Sequence, residues 1–225
     1  MSENIIEKAI MFATLAHAGQ VRKGEKDKPA IIHPLAVAQT LIEYGADNNV
    51  IVAGILHDVW EDTKYSLEDI KDKFGEDVAH LVEVASEPDK SKSWEERKEH
   101  TIKTTKNLAL REKLVLLADK VNNIESLDRL FKQKGCRDFS AFKRGQEQQE
   151  WYYRNIYESL IYNEDEENPL IKRLEQGINS VFGRSMEDYK DSLRETFNPE
   201  YIKPVFERLY KIEEELKDKE ERGER

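Results

Sequence analysis

Apolar residues recur at helical spacing along most of the chain, and one stretch breaks the amphipathic rule. In residues 3–18 the stripe is Ile6, Ala9, Ile10, Ala13 and Ala16, with Gly19 as a stop. IIHPLAVAQTLIEYG predicts a helix with His33 at the N-cap, Pro34 first and Gly45 at the end. The next helix, Asp47 to Trp60, is apolar nearly all round from Val50 onward, which predicts burial on every side. Ser66-Leu67-Glu68-Asp69 and Ser93-Trp94-Glu95-Glu96 read as capped helix starts, and Phe74-Gly75 separates two short helices. Further helical patterns run over 111–131, 139–163, 168–183 and 185–196. From Pro199 the chain reads as one highly charged helix, either solvated or a contact for another subunit in a homo-oligomer. GQVRKGEKDKP, bounded by Gly and Pro, predicts a basic loop. No stretch alternates with a period of two, so the expected fold is all-α.

The all-round apolar helix carries its own contradiction. His57 and Asp58 sit inside the run, and Glu61 and Asp62 follow one turn later on the same faces. Carboxylates crowded beside an imidazole repel one another and are costly to desolvate, and a divalent cation relieves both penalties. The alternative is a wet helix end whose acids face water. LVLLADKVNNIESL repeats the motif: Leu114 to Ala118 is apolar, Asp119 follows directly, and Asn123 lies one turn beyond. Here the alternative is a surface Asp paired with a neighbouring Lys. Taken with His33, the set His33, His57, Asp58 and Asp119 offers two imidazoles and two carboxylates from three helices. Such donors suit Mn, Fe, Zn, Mg or Ni-type divalent ions with positions left open for water and substrate. Glu61 and Asp62 are then placed to orient or deprotonate a water and to protonate a leaving group. His17 lies beside the basic segment, whereas His80 and His100 read as structural or exposed.

Composition narrows the partners. Charged residues make up 36% and hydrophobic residues 38% of 225, which suits a soluble helical globule, with no apolar run long enough to span a bilayer. No charged leader precedes an apolar stretch, and the single Cys136 fits a reducing, cytoplasmic setting and excludes a Cys-based zinc site. A net charge of -10 argues against general nucleic-acid binding. Positive charge is nevertheless concentrated at Arg22, Lys23, Lys26 and Lys28, and again at Arg97 and Lys98, as a small phosphorylated substrate would need. Two regions are expected: a domain over 1–163 and a C-terminal helical extension over 164–225.

The ordered set His33, then HD at 57–58, then Asp119 resembles the signature of HD-domain metal-dependent phosphohydrolases. AHAGQVRKG, IIHPLAVA, GILHDVWEDT, FGEDVAHLVE, WEERK and LADKVNNI stand in the order found in the hydrolase domain of the RelA/SpoT family. They look most like its small stand-alone alarmone hydrolases, over roughly residues 5–160. The resemblance implies an HD-domain helical bundle with added C-terminal helices. It implies one Mn2+ on His33, His57, Asp58 and Asp119, and an acidic pair, Glu61 and Asp62, activating the water that attacks the 3′-pyrophosphate of guanosine bis-pyrophosphate. It further implies that Arg22 packs on the purine, that Lys23, Arg97 and Lys98 lie near the nucleotide and its phosphates, and that Asn123 contacts the ribose-phosphate region. Two departures stand out. Ala30 replaces a common tyrosine, and Gln148-Gln149 replace an aromatic pair. An HD phosphohydrolase for a different nucleotide or dinucleotide, or a non-catalytic nucleotide sensor, are the alternatives.

Overall fold

Helix α3 (Asn48–Asp62) is the element around which the others gather in the computed structural model. The structure describes residues 4–22, 25–87, 89–140, 142 and 144–196. In α3 every residue from Val50 to His57 is buried, and so is Val59. Each large aliphatic side chain so buried contributes about 1.5–3 kcal/mol. Asp47 caps the helix, its carboxylate accepting from the Asn49 and Val50 N–H groups. Against α3 pack α1 (Ile5–Ala16), α2 (Ile32–Tyr44), α5 (Glu76–Ala85) and α7 (Leu110–Lys134). Around this centre lie α4 (Leu67–Phe74), α6 (Trp94–Thr105), α8 (Gln146–Ile161) and α9 (Pro169–Phe182).

Two glycines permit close helix approach. A Cβ on Gly54 would lie 2.5 Å from Leu41 Cδ1, and one on Gly177 would lie 2.5 Å from Ile124 Cγ2. The first seats α3 against α2 and the second seats α9 against α7. Asn122 joins α7 to α2 through the Ala36 carbonyl at 3.1 Å and the Thr40 hydroxyl at 2.9 Å. These contacts bring one end of α2 beside the middle of α7, where the polar residues converge.

The all-α expectation holds, with one small addition. The basic segment predicted as a loop contains a two-stranded antiparallel hairpin, β1 (Val21–Arg22) and β2 (Glu25–Pro29). Strands this short carry too little alternation to register as a pattern. His33 was expected at the N-cap of α2, but Ile31 occupies that position and His33 lies inside the first turn. The helix can begin earlier because first-turn N–H groups have no intrahelical partner, so Pro34 costs nothing there. The aromatic helix expected over 139–163 is shorter, spanning Gln146–Ile161. Before it, Phe139 packs on Phe131 and Phe182 with ring centroids 5.0 and 5.8 Å apart.

The chain forms two compact units, Met1–Phe182 and Gly183–Arg225. The first extends past residue 163 because α9 packs along α7 and α8. In the second, α10 (Met186–Thr196) begins at a cap in which the Ser185 hydroxyl accepts from the Asp188 N–H at 3.0 Å. The charged tail from Pro199 lies outside the described residues.

Candidate metal centre and a neighbouring cation cluster

The first turn of α2, the C-terminal half of α3 and the middle of α7 bring four of the expected residues together. His33 Nε2 lies 2.9 Å from Asp119 Oδ1, and His57 Nε2 lies 3.2 Å from Asp58 Oδ1 and 3.9 Å from Asp119 Oδ1. One donor atom each from His33, His57 and Asp58 falls within a 4.8 Å cluster. His33, His57 and Asp119 are only 8%, 4% and 7% exposed, so water screens their charges little.

The orientation of His57 is decided locally. Its Nδ1 lies 2.8 Å from the Gly54 carbonyl. A carbonyl only accepts, so Nδ1 carries the proton and Nε2 keeps its lone pair. That Nε2 is buried without a hydrogen-bond partner, facing two carboxylates. The Ser86 hydroxyl donates to the His57 carbonyl at 3.1 Å, tying the end of α5 to this turn of α3. Burial pushes the His57 imidazolium down, but Asp58, Asp119, the Gly54 carbonyl and Glu61 outweigh it, leaving the pKa raised. The pocket is thus electronegative. Burial works against the Asp119 carboxylate too, yet Lys120, His33 and His57 hold its pKa well below the ordinary value. An unpartnered imidazole nitrogen beside the Asp58 and Asp119 side chains fits a divalent cation by geometry and donor type.

Around this centre the other expected residues fall into two groups. Asn123 Nδ2 donates to Asp119 Oδ1 at 2.5 Å, and the Arg22 guanidinium donates to Asn123 Oδ1 at 3.3 Å. The hairpin therefore delivers Arg22 to the α7 side of the centre. Lys23 lies outside the described residues. On the other side, Glu61 is half-buried. Its Oε1 accepts the Glu87 main-chain N–H, and burial, with repulsion from Asp58 and Glu87, keeps its pKa above the ordinary value. Asp62 is exposed and accepts from Lys90 Nζ at 2.9 Å, while its carbonyl accepts from the Gln20 side chain at 2.7 Å.

Arg97 and Lys98 of α6 converge on the Glu87 carboxylate. Lys98 Nζ lies 3.0 and 3.1 Å from its oxygens, Arg97 3.4 Å, and the Thr101 hydroxyl 2.5 Å. Lys98 also stands 4.5 Å from the centre of the Tyr152 ring, and Lys120 stands 5.6 Å from the same ring. Glu87 and Lys120 are members of this cluster that no sequence motif marks. The only available signals were an acid a few residues before an Arg-Lys pair and a Lys directly after a buried-looking Asp. His17 is buried and bonds Gln20 through Nδ1 at 2.8 Å, whereas exposed His80 pairs with Glu112. Of the two departures, Ala30 ends the hairpin, its N–H bonded to the Gln20 carbonyl. Gln148 is exposed, Gln149 buried.

This is an all-helical protein with a buried imidazole-carboxylate centre suited to a divalent ion and a cationic wall beside it. The chain belongs to the HD domain family, which matches residues 9–141, more than half of its length. The guanosine-3′,5′-bis(diphosphate) 3′-pyrophosphohydrolase of Aquifex aeolicus strain VF5 is 40% identical over 124 residues, covering 54% of this chain and 18% of that protein. The GTP pyrophosphokinase of Myxococcus xanthus is 38% identical over 142 residues, covering 60% and 18%. The chain spans less than a fifth of the length of these curated relatives. A Xenopus tropicalis protein, the guanosine-3′,5′-bis(diphosphate) 3′-pyrophosphohydrolase MESH1, is 39% identical over 127 residues, covering 56% of this chain and 70% of that protein. Among solved structures, lmo0812 from Listeria monocytogenes EGD-e superposes with a TM-score of 0.62 at 37% identity, covering 68% of this chain and 94% of that one. A metazoan ortholog of SpoT, described as hydrolysing ppGpp, gives 0.66 at 28% identity, covering 80% and 96%.

Proposed function

We propose that this protein is a metal-dependent phosphohydrolase that removes the 3′-pyrophosphate from guanosine 3′,5′-bis(diphosphate). The observation that carries the proposal is the buried His57 Nε2 lone pair facing Asp58 and Asp119 beside the half-buried Glu61. His33, His57, Asp58 and Asp119 would hold one divalent ion, with Mn2+ the choice suggested by the resemblance. When bound, that ion lowers the pKa of a coordinated water and polarises a phosphoryl oxygen. Glu61, with its raised pKa, takes the proton from the attacking water, and the Glu87 N–H fixes its carboxylate for this. Asp62, steadied by Lys90, orients the same water, and the proton taken up by Glu61 is passed on to the leaving ribose 3′-oxygen. Arg22 faces the purine, Asn123 the ribose-phosphate region, and Arg97 and Lys98 the phosphates, with Lys23 assigned to the same wall. The relatives named as pyrophosphohydrolases support this substrate.

A second reading, the same chemistry on another phosphorylated nucleotide, draws on Ala30 and Gln148. Against it, α8 places Tyr152 and Tyr153 one turn beyond the glutamines, both buried. Burial raises the pKa of Tyr153 to about 12, and Arg22 is among the charges acting on its phenol. A cytoplasmic location belongs to the same proposal, the use of a single cysteine, Cys136, suiting a reducing compartment. Among the described residues no helix is long and apolar enough to cross a membrane.

The test is product release with Mn2+ present, over a panel of guanosine 3′,5′-bis(diphosphate), GTP, GDP and a phosphorylated dinucleotide. Pyrophosphate from the bis(diphosphate) alone is expected. Release only from another member would replace the substrate, and no release from any would remove the hydrolase assignment.

A further inference from the structure

We propose that Glu87 is a displaceable counter-ion. Its carboxylate occupies the phosphate position on Arg97 and Lys98 in the free protein, and its main-chain N–H passes the arrival of substrate on to Glu61. The proposal rests on the hydrolase reading for its meaning in turnover, but its binding half rests on the contacts around Arg97 and Lys98.

Three donor groups make four hydrogen bonds to one carboxylate: Lys98 at 3.0 and 3.1 Å, Arg97 at 3.4 Å and the Thr101 hydroxyl at 2.5 Å. A phosphate oxygen pair asks for the same fork of donors. The cations are also incompletely used. Arg97 Nε is buried with no acceptor, and the hydroxyl of Tyr152, whose ring the Lys98 and Lys120 ammonium groups face, is buried with no partner. A buried polar group left unpaired is costly, and a phosphate, with more acceptor sites than one carboxylate, can satisfy groups that Glu87 leaves open. The cationic cluster needs an anion whichever one is present, because burial and the nearby Lys120 charge push the Lys98 ammonium towards neutrality while Glu87 opposes them. Lys120 cannot take over this role, since its Nζ is committed to Asp119 Oδ2 at 2.7 Å.

The link to chemistry is covalent and short. Glu61 Oε1 accepts from the main-chain N–H of the same residue whose side chain α6 holds. If release of the Glu87 carboxylate from Arg97 and Lys98 shifts the main chain at Glu87, it shifts the donor that fixes Glu61. Substrate anchorage and placement of the proposed base become one event. Glu87 acts through Glu61 and through the cations, which makes it a positioning residue.

Calorimetric titration of inorganic pyrophosphate into the Mn2+-loaded full chain tests this, with kcat and KM measured beside it. Glu87→Gln keeps the shape and removes the competing charge. It is expected to bind pyrophosphate about three- to tenfold more tightly, with KM falling in step and kcat falling several-fold as Glu61 loosens. The gain should vanish when Lys98→Met is added. Thr101→Val, which removes one Glu87 partner without changing charge, should lower KM in the same direction by a smaller factor, and it keeps the test open if Glu87→Gln folds poorly. Unchanged or weaker pyrophosphate binding in both variants would overturn the counter-ion role, and an unchanged kcat would overturn the link to Glu61. If wild type turned over no bis(diphosphate), the hydrolase reading would fail while the pyrophosphate comparison still reported on Glu87.

Discussion

Two polar clusters join α3 to α7, and they differ in whether they close on themselves. At the N-terminal ends of α3, α5 and α7, Arg111 is clamped between Asp47 and Asp77 by four hydrogen bonds of 2.6 to 3.2 Å. Asn49 completes that set with a bond to Asp77 at 2.7 Å. Roughly 12 to 15 Å further along each helix, at 1.5 Å per residue, lies the His33, His57, Asp58 and Asp119 centre. There His33, His57 and Asp119 are buried, the Asp119 carboxyl is held well below its ordinary pKa, and His57 Nε2 has no partner. The first cluster is exposed and satisfied, which is what a brace requires. The second keeps an open lone pair where openness is costly, which is what a ligand site requires. Polar residues alone do not separate the two roles, but the unfilled valence does.

The largest expected effect comes from breaking the open cluster. His57→Ala should abolish metal binding and bring turnover to background, measured by pyrophosphate release. Glu61→Gln should keep the metal and lose about 10²- to 10⁴-fold in kcat, the usual scale for a positioned acid or base. Full activity in Glu61→Gln would remove it from the chemistry. Next comes Gly54→Ala, whose new Cβ would meet Leu41 Cδ1 at 2.5 Å and Val37 Cγ1 at 3.4 Å. Overpacking there should cost about 1–3 kcal/mol in denaturant unfolding. It should also lower activity, because the Gly54 carbonyl sets the His57 tautomer.

The smallest effect belongs to the closed cluster. Arg111→Met should change stability by no more than about 1 kcal/mol, as expected for exposed ion pairs, and leave turnover near wild type. Its signature is pH. Hydrogen bonds from Arg111 and Asn49 lower the Asp77 pKa from its ordinary 3.8 to about 2, and Arg111 lowers that of Asp47 as well. A carboxyl held low in the folded chain adds stability above its ordinary pKa. That contribution is lost as pH falls through about 3.8 towards 2. Acid unfolding of Arg111→Met should therefore be shallower across that window. An unchanged acid limb would show that the clamp contributes nothing.

The open cluster was the more legible of the two in the sequence. Val50 to Trp60 and Leu114 to Ala118 are apolar runs that each deliver a carboxylate, and that inconsistency is visible without coordinates. The caps at Ser66 and Ser93 and the helix end at Gly45 followed from local rules and occur as expected. What escaped was non-local. Glu87 reads as an ordinary connecting acid until α6 folds back and places Arg97 and Lys98 on it. Arg111, Asp47 and Asp77 lie on three helices, and no single window contains more than one of them. The hairpin at Val21–Pro29 was missed for a different reason, since its strands are too short to show a period.

The most direct measurement is calorimetric titration of Mn2+ into chelator-stripped protein, comparing wild type, Glu61→Gln, Arg111→Met and His57→Ala. One ion bound per chain in the first three, and none in His57→Ala, is the expected result. Stoichiometric, unchanged binding in a folded His57→Ala protein would contradict the assignment of the open cluster as the metal centre.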